Sequence, residues 1–423
     1  MRAWLMRCLA LGLGLLAACG GGTDKTQAQV RLVNASAGYP ALEMTVDDKR
    51  RFADVGYGES EDYADVDPDK ADTEILAPGS ASALLRFTPE VAKDHRYTVL
   101  AYGNEGSLAY TLLDENDDEP DDDKSLVRVI NVAPDAGDLD VYLTGPDDSL
   151  AGAVPLQAGA AYGTLGDALL VNDGTWRLRA TAAGSKTDIR LDVGGVELDG
   201  KTAMTLVLTP AQGGTLVNAL LLEQDGAIAR YDVPLARLRI GATLPLGASV
   251  SATVGGSPIA AGVAAPAVGL YVPVAAGSPA VALNVDGAAV PVAAPTLAAG
   301  ADYTMLVYGS PAAPQVSWIA DDNRLPTVSG EAKVRLVDGV GGLAGGVSLT
   351  VDFVPVAGNV APGAASDYTS LTATTTAVIA ATGSADAALL YSAIDQTLEA
   401  GAVYTVFVTG THDAPSGILR RDR

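Results

Sequence analysis

The sequence of 423 residues contains few of the residue types on which most binding and catalytic sites depend. It has two cysteines, two histidines, three tryptophans and four phenylalanines, and 27 basic against 51 acidic residues. Two cysteines cannot form a disulfide-stapled scaffold. A net charge of −24 argues against nucleic-acid binding, because such a surface would repel a phosphate backbone. The apolar share of 48% excludes a disordered chain, because disordered chains lack the residues that form a core.

The N-terminus has the pattern of a bacterial lipoprotein signal. Arg2 and Arg7 accompany an apolar run over 9–16 that is too short to span a membrane. The next residues, Leu16-Ala17-Ala18-Cys19, resemble the lipobox of bacterial lipoproteins. That resemblance implies a signal peptide over 1–18 and a diacylglyceryl group on Cys19. The alternative is an ordinary secretory signal that happens to contain a cysteine.

The residues after Cys19 indicate where the protein is located. Residues 19–28 are rich in glycine and polar residues, and we interpret them as a flexible tether. Gly20 stands where inner-membrane lipoproteins carry aspartate, so the resemblance implies an outer-membrane lipoprotein that faces the periplasm or the cell surface. We expect membrane contact through the lipid anchor.

Three short motifs recur four times in the same order, which indicates four copies of one unit. An opening motif carries an arginine among apolar residues, at Val30–Asn34, Val127–Asn131, Leu238–Ile240 and Val334–Asp338. A middle motif is centred on Tyr63, Ala168, Tyr271 and Tyr368. A late motif ends in threonine, at Tyr97-Thr98, Met204-Thr205, Tyr303-Thr304 and Tyr404-Thr405.

Each unit has the pattern of short strands. Runs such as Thr405–Thr409 are rich in Val, Thr and aromatic residues, which suit a pleated surface, and turn-forming residues punctuate these runs. We therefore predict an all-β fold of four tandem immunoglobulin-like antiparallel β-sandwich repeats. The predicted repeats cover residues 29–115, 125–226, 228–322 and 331–423. An acidic linker over 116–124 and a second linker over 323–330 separate them.

The opening of the second unit resembles a bacterial family known as domain of unknown function 4397. The run Val127–Asn131 and the following Pro134-Asp135-Ala136 and Asp140-Val141-Tyr142 carry the resemblance, with Gly137 in place of a proline. The third and fourth units keep little of this opening. Members of that family are typically secreted or surface-anchored sandwich repeats without an established activity. The resemblance therefore implies an architecture and a location but no catalytic chemistry.

One acidic cluster has the composition of a cation site. Residues 114–123 contain eight carboxylates, and Asp321-Asp322 forms a smaller echo between the third and fourth units. Ca²⁺ takes six to eight oxygen ligands, so this cluster supplies candidate ligands: Asp114, Asp117, Asp118, Asp121, Asp122 and Asp123. The alternative is an extended, solvated linker, because the cluster lacks the glycine turn of a calcium loop and like charges repel each other. We predict no other cofactor.

Other motifs give weaker signals. Residues 195–202 fit a phosphate-loop pattern, but a strand follows them and Glu197 and Asp199 would repel phosphate. His95 and His412 stand at non-equivalent positions, and no hydrolytic or zinc motif accompanies them. The acidic position of each second strand varies, which favours a solvated residue over a catalyst: Glu43, Asp140, Ser251 and Ser348. The sequence thus predicts no catalytic residue.

These observations favour a non-enzymatic protein of the cell envelope, acting as a surface or periplasmic scaffold or adhesion module with an unidentified protein or surface partner. The alternative function is an accessory envelope lipoprotein that binds a small ligand or Ca²⁺. An enzyme would need a polar constellation confined to one repeat, since positions shared by the copies serve the fold.

Overall fold

A computed structural model describes residues 27–423, and almost all of its regular structure is β-strand. The predicted signal peptide, Cys19 and most of the predicted tether lie outside the described residues. The strands form where Val, Leu and Thr alternate with polar residues, as in Ala41–Val46, where Leu42, Met44 and Val46 are buried. The all-β prediction is confirmed.

The first half of the described chain contains 17 strands. The first eight are β1 (Ala28–Asn34), β2 (Ala41–Val46), β3 (Lys49–Gly56), β4 (Ala64–Val66), β5 (Thr73–Leu76), β6 (Ala83–Phe87), β7 (Arg96–Tyr102) and β8 (Ala109–Asp114). The next nine are β9 (Lys124–Asn131), β10 (Leu139–Thr144), β11 (Gln157–Ala160), β12 (Leu169–Asn172), β13 (Gly174–Ala182), β14 (Ile189–Leu198), β15 (Thr202–Pro210), β16 (Val217–Glu223) and β17 (Ile228–Tyr231). A short 3-10 helix, Leu150–Gly152, precedes β11.

The second half also contains 17 strands. Nine of them are β18 (Leu235–Ala242), β19 (Ser249–Val254), β20 (Ser257–Ala264), β21 (Ala267–Val268), β22 (Val272–Ala275), β23 (Val281–Val285), β24 (Ala288–Val290), β25 (Asp302–Ser310) and β26 (Ala313–Asp321). The last eight are β27 (Glu331–Asp338), β28 (Val347–Val351), β29 (Val354–Val360), β30 (Thr369–Thr372), β31 (Thr374–Gly383), β32 (Leu389–Leu398), β33 (Val403–Thr411) and β34 (Ala414–Arg421).

These strands form eight sheets, two from each of four consecutive stretches of chain, which we call the first to fourth sandwiches. In the first sandwich an inner sheet has the order β4-β1-β7-β8 and an outer sheet the order β3-β2-β5-β6. The later inner sheets are β12-β9-β15-β16-β17, β21-β18-β25-β26 (with β22 also on β18) and β30-β27-β33-β34. The later outer sheets are β11-β10-β13-β14, β20-β19-β23-β24 and β29-β28-β31-β32.

The pairing is antiparallel except at one place in each inner sheet. The opening strand runs parallel to the long strand that carries the late motif, as β1 does to β7 and β27 to β33. Parallel neighbours need a long crossover, and the intervening strands of the other sheet provide it. β17 lies within the predicted third repeat but pairs with β16 of the second sandwich.

Each sandwich has its own apolar core between its two sheets, built largely from Val, Leu and Ala. Two further apolar clusters lie between sandwiches. One joins the inner sheets of the first and second sandwiches through Leu100, Ile130 and Leu220, and the other joins the third and fourth through Leu306, Val337 and Phe407. The inner sheets are therefore covered on both faces, which explains why β33 is buried along eight consecutive residues.

Candidate functional site

The three repeated motifs meet at one place in the inner sheet. In the first sandwich the Nε of Arg31 donates to Thr98 Oγ1 at 2.7 Å, and its Nη2 donates to Glu115 Oε1 at 2.7 Å. The guanidinium also lies 5.0 Å from the ring centre of Tyr63. Arginine, tyrosine and threonine thus come from the opening, middle and late motifs. The fourth member, Glu115, follows the last strand of the sheet.

The same arrangement links the third and fourth sandwiches reciprocally. Arg239 of the third sandwich pairs with Asp422 of the fourth, and Arg335 of the fourth pairs with Asp321 of the third. These four side chains are at most 2% exposed. Thr304 donates to Asp321 at 2.6 Å, so the acceptors of this carboxylate are satisfied. Buried ion pairs are stable only when hydrogen bonds satisfy most of their polar atoms. Here the exchange leaves only Arg239 Nη2, among the polar atoms of these four side chains, buried without a partner.

The electrostatic balance differs between the two junctions. Burial raises the pKa of Glu115 to about 7, although Arg31 opposes the shift. Burial also opposes the charge of Asp321, but Arg335 and Arg239 together outweigh it and hold the pKa of this carboxyl below its usual range. One arginine therefore faces the carboxyl at the first junction and two face it at the second.

The second sandwich departs from the pattern. Ala168 replaces the tyrosine, and Gln224 stands at the register position of the acid. Arg128 instead donates to Asp117 of the acidic linker at 2.6 Å, and the backbone amide of Asp117 donates to Gln224 at 3.2 Å. This difference brings one residue of the predicted acidic linker into the junction. Sequence reasoning recognised the recurrent arginine and threonine but not that they form one ion-pair site, because the acid lies outside all three motifs.

The six candidate calcium ligands are dispersed along the surface. Asp117 pairs with Arg128, Asp122 with Lys201 at 2.7 Å, and Asp123 with Lys124 at 3.5 Å. Asp114 lies 3.6 Å from His95, while Asp118 and Asp121 are exposed. Over residues 27–423, no three His, Cys, Asp or Glu side chains are grouped to hold a metal ion.

Calcium binding at the acidic linker stays a prediction. A melting curve in millimolar Ca²⁺ and in chelator tests it, and unchanged melting temperatures would dismiss it. The acidic echo between the third and fourth units is different in character, since Asp321 is a buried member of the ion-pair site and not a solvated linker residue.

The position occupied by Glu43, Asp140, Ser251 and Ser348 faces a β-bulge in the neighbouring strand, and in three of the sandwiches its side chain accepts a hydrogen bond from that strand. Asp140 Oδ1 accepts from the backbone amide of Gly159 at 2.8 Å, and Ser251 and Ser348 accept from the amides of Gly262 and Asn359. Asp140 is only 8% exposed, so the expectation of a solvated residue is wrong for the second sandwich. A hydroxyl or a carboxylate performs this role equally well, because both accept a hydrogen bond from the bulge.

The phosphate-loop-like segment, His412 and two tryptophans take part in the fold or lie at the surface. A strand, β15, begins at Thr202 of the phosphate-loop-like segment, where nucleotide binding would need a helix. His412 lies at the surface 2.9 Å from Asp386, and the hydrogen bond to this carboxylate raises the pKa of the imidazole. Trp176 and Trp318 pack against the cores of their sandwiches.

Sequence reasoning missed a cleft of about 840 Å³ in the first sandwich. The β2–β3 turn, the β4–β5 connection and the end of β6 line it, together with Gln27. Its carboxylates include Asp47, which accepts from the backbone amide of Asp72 at 3.3 Å, and Asp72, which accepts from Thr88 at 2.7 Å. Glu74 pairs with Arg86 at 2.9 Å. These contacts hold the walls of the cleft together.

Three other cations line the same cleft: Lys49, Arg51 and Lys70. Within residues 27–423 none of them forms an ion pair, and the Nε of Arg51 is shielded from solvent without a hydrogen-bond partner. We call these three residues the cleft cations. Asp48 and Asp67 also line the cleft, and Asp67 accepts from the backbone amide of Asp69 at 3.1 Å. All the lining carboxylates except Asp48 therefore hold the fold together, whereas the three cleft cations do not.

The family model described as "Domain of unknown function (DUF4397)" matches residues 28–142 and 236–340, just over half of the chain. The chain belongs to the DUF4397 family. The first match contains Val127–Tyr142, which confirms the resemblance read from the sequence. The second covers the third sandwich except Leu235, so that unit keeps more of the DUF4397 pattern than its degraded opening motif indicates.

Comparison with other proteins adds little to the DUF4397 assignment. No curated protein matches the chain. A solved structure named as a putative cell adhesion protein from Bacteroides uniformis is 16% identical, with a TM-score of 0.22, and the match covers 48% of this chain and 99% of that one. A similarly named protein from Bacteroides ovatus is 11% identical, with a TM-score of 0.14, covering 71% and 95%.

A carbohydrate-binding module from Eubacterium rectale, solved with maltoheptaose, is 15% identical with a TM-score of 0.17, covering 45% of this chain and 95% of that one. Because all these TM-scores are low, we draw no functional argument from them.

In the part of the chain that the structure describes, no helix is long and apolar enough to cross a bilayer.

Proposed function

We propose that this protein is a non-enzymatic cell-envelope lipoprotein that acts as a scaffold or adhesion module. In this proposal Cys19 carries the lipid, residues 19–28 form the tether, and the sandwiches hold a binding surface away from the outer membrane. Membership in the DUF4397 family is compatible with this role, because that family has no assigned activity.

The observation that carries the proposal is the locking of sandwiches in pairs. A buried ion-pair site and an apolar cluster join the third sandwich to the fourth. A second apolar cluster and hydrogen bonds from Arg31 to the carbonyl oxygens of Glu223 and Gly226 join the first to the second. Tightly packed interfaces with paired buried charges favour a stiff array over sandwiches that move independently. The polar residues that the copies share are used in this packing, which supports a structural role.

Contacts also join the two pairs. The guanidinium of Arg423 donates to Thr215 Oγ1 at 2.9 Å, and the backbone amide of Leu325 donates to Asp135 Oδ1 at 2.8 Å. The backbone amide of Gly213 donates to the carbonyl oxygen of Gly300 at 2.8 Å. These bonds tie the second sandwich to the second half of the chain and support a scaffold that presents its surfaces in a defined arrangement.

The anchor is tested by metabolic labelling with a fatty acid, comparing the full chain with its Cys19→Ser variant. We expect label and outer-membrane fractionation for the wild type and neither for the variant. The variant keeps every described residue, so its melting temperature after purification serves as the folding control. A wild-type protein without acyl label, or one that fractionates as a soluble protein, would contradict the anchor.

The scaffold role needs a second experiment on intact cells. Surface labelling reports whether the sandwiches are exposed, and cross-linking followed by pull-down identifies what they contact. We expect a protein or envelope component to be cross-linked reproducibly to the wild type. Recovery of the chain alone under all cross-linking conditions would contradict the scaffold role.

A further inference from the structure

We propose that the cleft of the first sandwich binds a phosphate-bearing anion through Lys49, Arg51 and Lys70. This inference goes beyond the scaffold role and does not depend on lipidation of Cys19. It rests on two features that the first sandwich has and the other sandwiches lack: a basic run at a conserved bulge and a charged insertion beside it.

The first feature is the placement of Arg51. Met44 pairs with Phe52 and Thr45 pairs with Arg50, so Arg51 is the extra residue of a β-bulge. The third and fourth sandwiches carry the same bulge at Ile259 and Val356.

In those two sandwiches the bulge residue is part of the apolar interior. Ile259 is 7% exposed and belongs to the core of the third sandwich, and Val356 packs against the core of the fourth. Arg51 thus places a guanidinium where the other copies bury an aliphatic side chain. Arg51 is partly buried, and its Nε is shielded from solvent without a hydrogen-bond partner, so an anion in the cleft would satisfy this donor.

The second feature is the connection between β4 and β5. It spans residues 67–72 in the first sandwich, whereas single residues, Asp173 and Ala373, connect the corresponding strands of the second and fourth. The third sandwich has an uncharged connection over 276–280. The insertion brings Lys70 to the cleft and, through Asp72, braces its wall.

The charged side chains of the cleft that have no partner within the protein indicate the class of ligand. Four of the five carboxylates that line the cleft are engaged: Asp47 and Asp67 with backbone amides, Asp72 with a hydroxyl and Glu74 with an arginine. Within residues 27–423 the three cleft cations and Asp48 have no ion-pair partner, so unpaired positive charge exceeds unpaired negative charge. Lysine and arginine side chains bind phosphate through charge-assisted hydrogen bonds, and the planar guanidinium binds it with two donors. The unpaired donors of the cleft therefore fit a phosphate group.

The acidity of the surrounding surface does not prevent this binding. Residues 27–234 contain 37 acidic and 16 basic residues, a net charge of −21. At physiological salt the Debye length is about 8 Å, so distant carboxylates act weakly compared with cations in direct contact. Binding should consequently strengthen when salt screens the long-range repulsion moderately and weaken when it screens the contacts themselves.

Two sources could supply the phosphate. If Cys19 is acylated, the eight peptide steps from Cys19 to Gln27 span at most about 28 Å, which places the cleft within reach of phospholipid headgroups. The other source is a soluble phosphate compound of the envelope. Both present the same group to the cleft, and the experiment below separates them.

The test uses the chain from residue 20 onwards, which keeps every described residue and lacks the anchor. One arm measures the shift in melting temperature with inorganic phosphate. The other measures co-sedimentation with vesicles of phosphatidylglycerol in phosphatidylcholine, against pure phosphatidylcholine. The variants are Arg51→Ile and Lys70→Gln, with Arg50→Gln as the matched control, because Arg50 lies next to Arg51 and faces Glu43 instead.

We expect Arg51→Ile to weaken binding about tenfold or more, Lys70→Gln to weaken it less, and Arg50→Gln to leave it unchanged. Arg51→Ile introduces the residue found in the third sandwich, so its melting temperature without phosphate should not fall. Arg51-dependent binding in the vesicle arm identifies a lipid headgroup. Arg51-dependent binding to phosphate alone identifies a soluble ligand.

Three results would overturn the proposal. The first is no binding in either arm, and the second is binding that Arg51→Ile leaves intact. The third is binding that Arg50→Gln reduces as strongly as Arg51→Ile does, since this indicates a non-specific basic surface. None of these results bears on acylation of Cys19, which the labelling experiment tests separately.

Discussion

Asp338 shows how one atom changes the character of a repeated position. The equivalent Asn34 and Asn131 each donate two hydrogen bonds from their side-chain amides to backbone carbonyls. Asp338 keeps the acceptor role, since its Oδ1 accepts from the amide of Val340 at 2.9 Å. Its Oδ2 is buried without a hydrogen-bond partner, and burial raises the pKa of this carboxyl to about 6.

Replacement of Asp338 by Asn should therefore stabilise the protein at neutral pH. The raised pKa means that the folded state holds the proton more tightly than the unfolded state, so the wild type loses stability as the pH rises from about 4 to about 6. We expect Asp338→Asn to raise the free energy of unfolding at pH 7 by about 2 kcal/mol. Melting curves at about pH 4 and at pH 7 provide the measurement, and the gain should shrink at the lower pH.

The reciprocal change serves as the control. Asn131→Asp should lose a comparable amount at pH 7, because it creates the same unsatisfied carboxylate in the second sandwich. Equal melting temperatures of the wild type and Asp338→Asn at both pH values would contradict this interpretation of the position.

At the scale of elements, the strand ends decide how the sandwiches join. Asp321 is the last residue of β26, and Asp422 directly follows β34. Each carboxylate therefore lies where an inner sheet ends, within reach of the arginine on the opening strand of the neighbouring sandwich. The inner sheets of the third and fourth sandwiches thus pack face to face and also form reciprocal ion pairs at one edge.

Asp321→Asn should weaken the junction of the third and fourth sandwiches. The substitution leaves Arg239 and Arg335 buried with Asp422 as their one remaining carboxylate, and removal of one partner of a buried ion pair costs about 3 kcal/mol. The pKa of Asp321 lies below its usual range in the folded state, so this stabilisation is present at neutral pH and is lost on acidification below about pH 4.

Chemical denaturation of the wild type and of Asp321→Asn at pH 7 measures the loss. The matched control is Asp413→Asn, because Asp413 is 99% exposed and an exposed charge contributes little. An unchanged denaturation midpoint for Asp321→Asn would show that the ion pairs do not stabilise the junction.

At the scale of the whole molecule, the negative charge is divided unequally. Residues 27–234 carry a net charge of −21, whereas residues 235–423, with 13 acidic and 8 basic residues, carry −5. Self-repulsion destabilises a compact state and is screened by salt. Each half consists of two sandwiches, so the response of corresponding strands to salt can be compared.

We expect added NaCl to stabilise the first two sandwiches more than the last two. Hydrogen exchange measured at low and at moderate salt reports the stability of each sandwich in the intact chain. Protection of β7 and β15 should increase with salt, while protection of β25 and β33 should change little. A uniform response along the chain would mean that the charge imbalance has no local effect on stability.

The sequence predicted more of the fold than of the site. The Val and Thr content of runs such as Thr405–Thr409 is a local property of the chain and therefore predicts strands. The recurrence of Arg31, Tyr63 and Thr98 was visible as well, but these residues are up to 67 positions apart, and no spacing rule places them around one guanidinium. The cleft cations were invisible as a group for the same reason, since a bulge and an insertion create their cleft.

The sequence by itself determined the class of protein: all-β units, their repetition, the acidic surface and the resemblance to the DUF4397 family. These follow from composition and from patterns within a few residues of one another. Only the tertiary structure decided that sandwiches lock in pairs, that Asp321 is buried and not solvated, and that Arg51 enters a cleft. Those outcomes depend on which faces of the sheets pack together and on where strand ends, bulges and connections place their side chains. Residues far apart in the sequence make these contacts, so local patterns do not predict them.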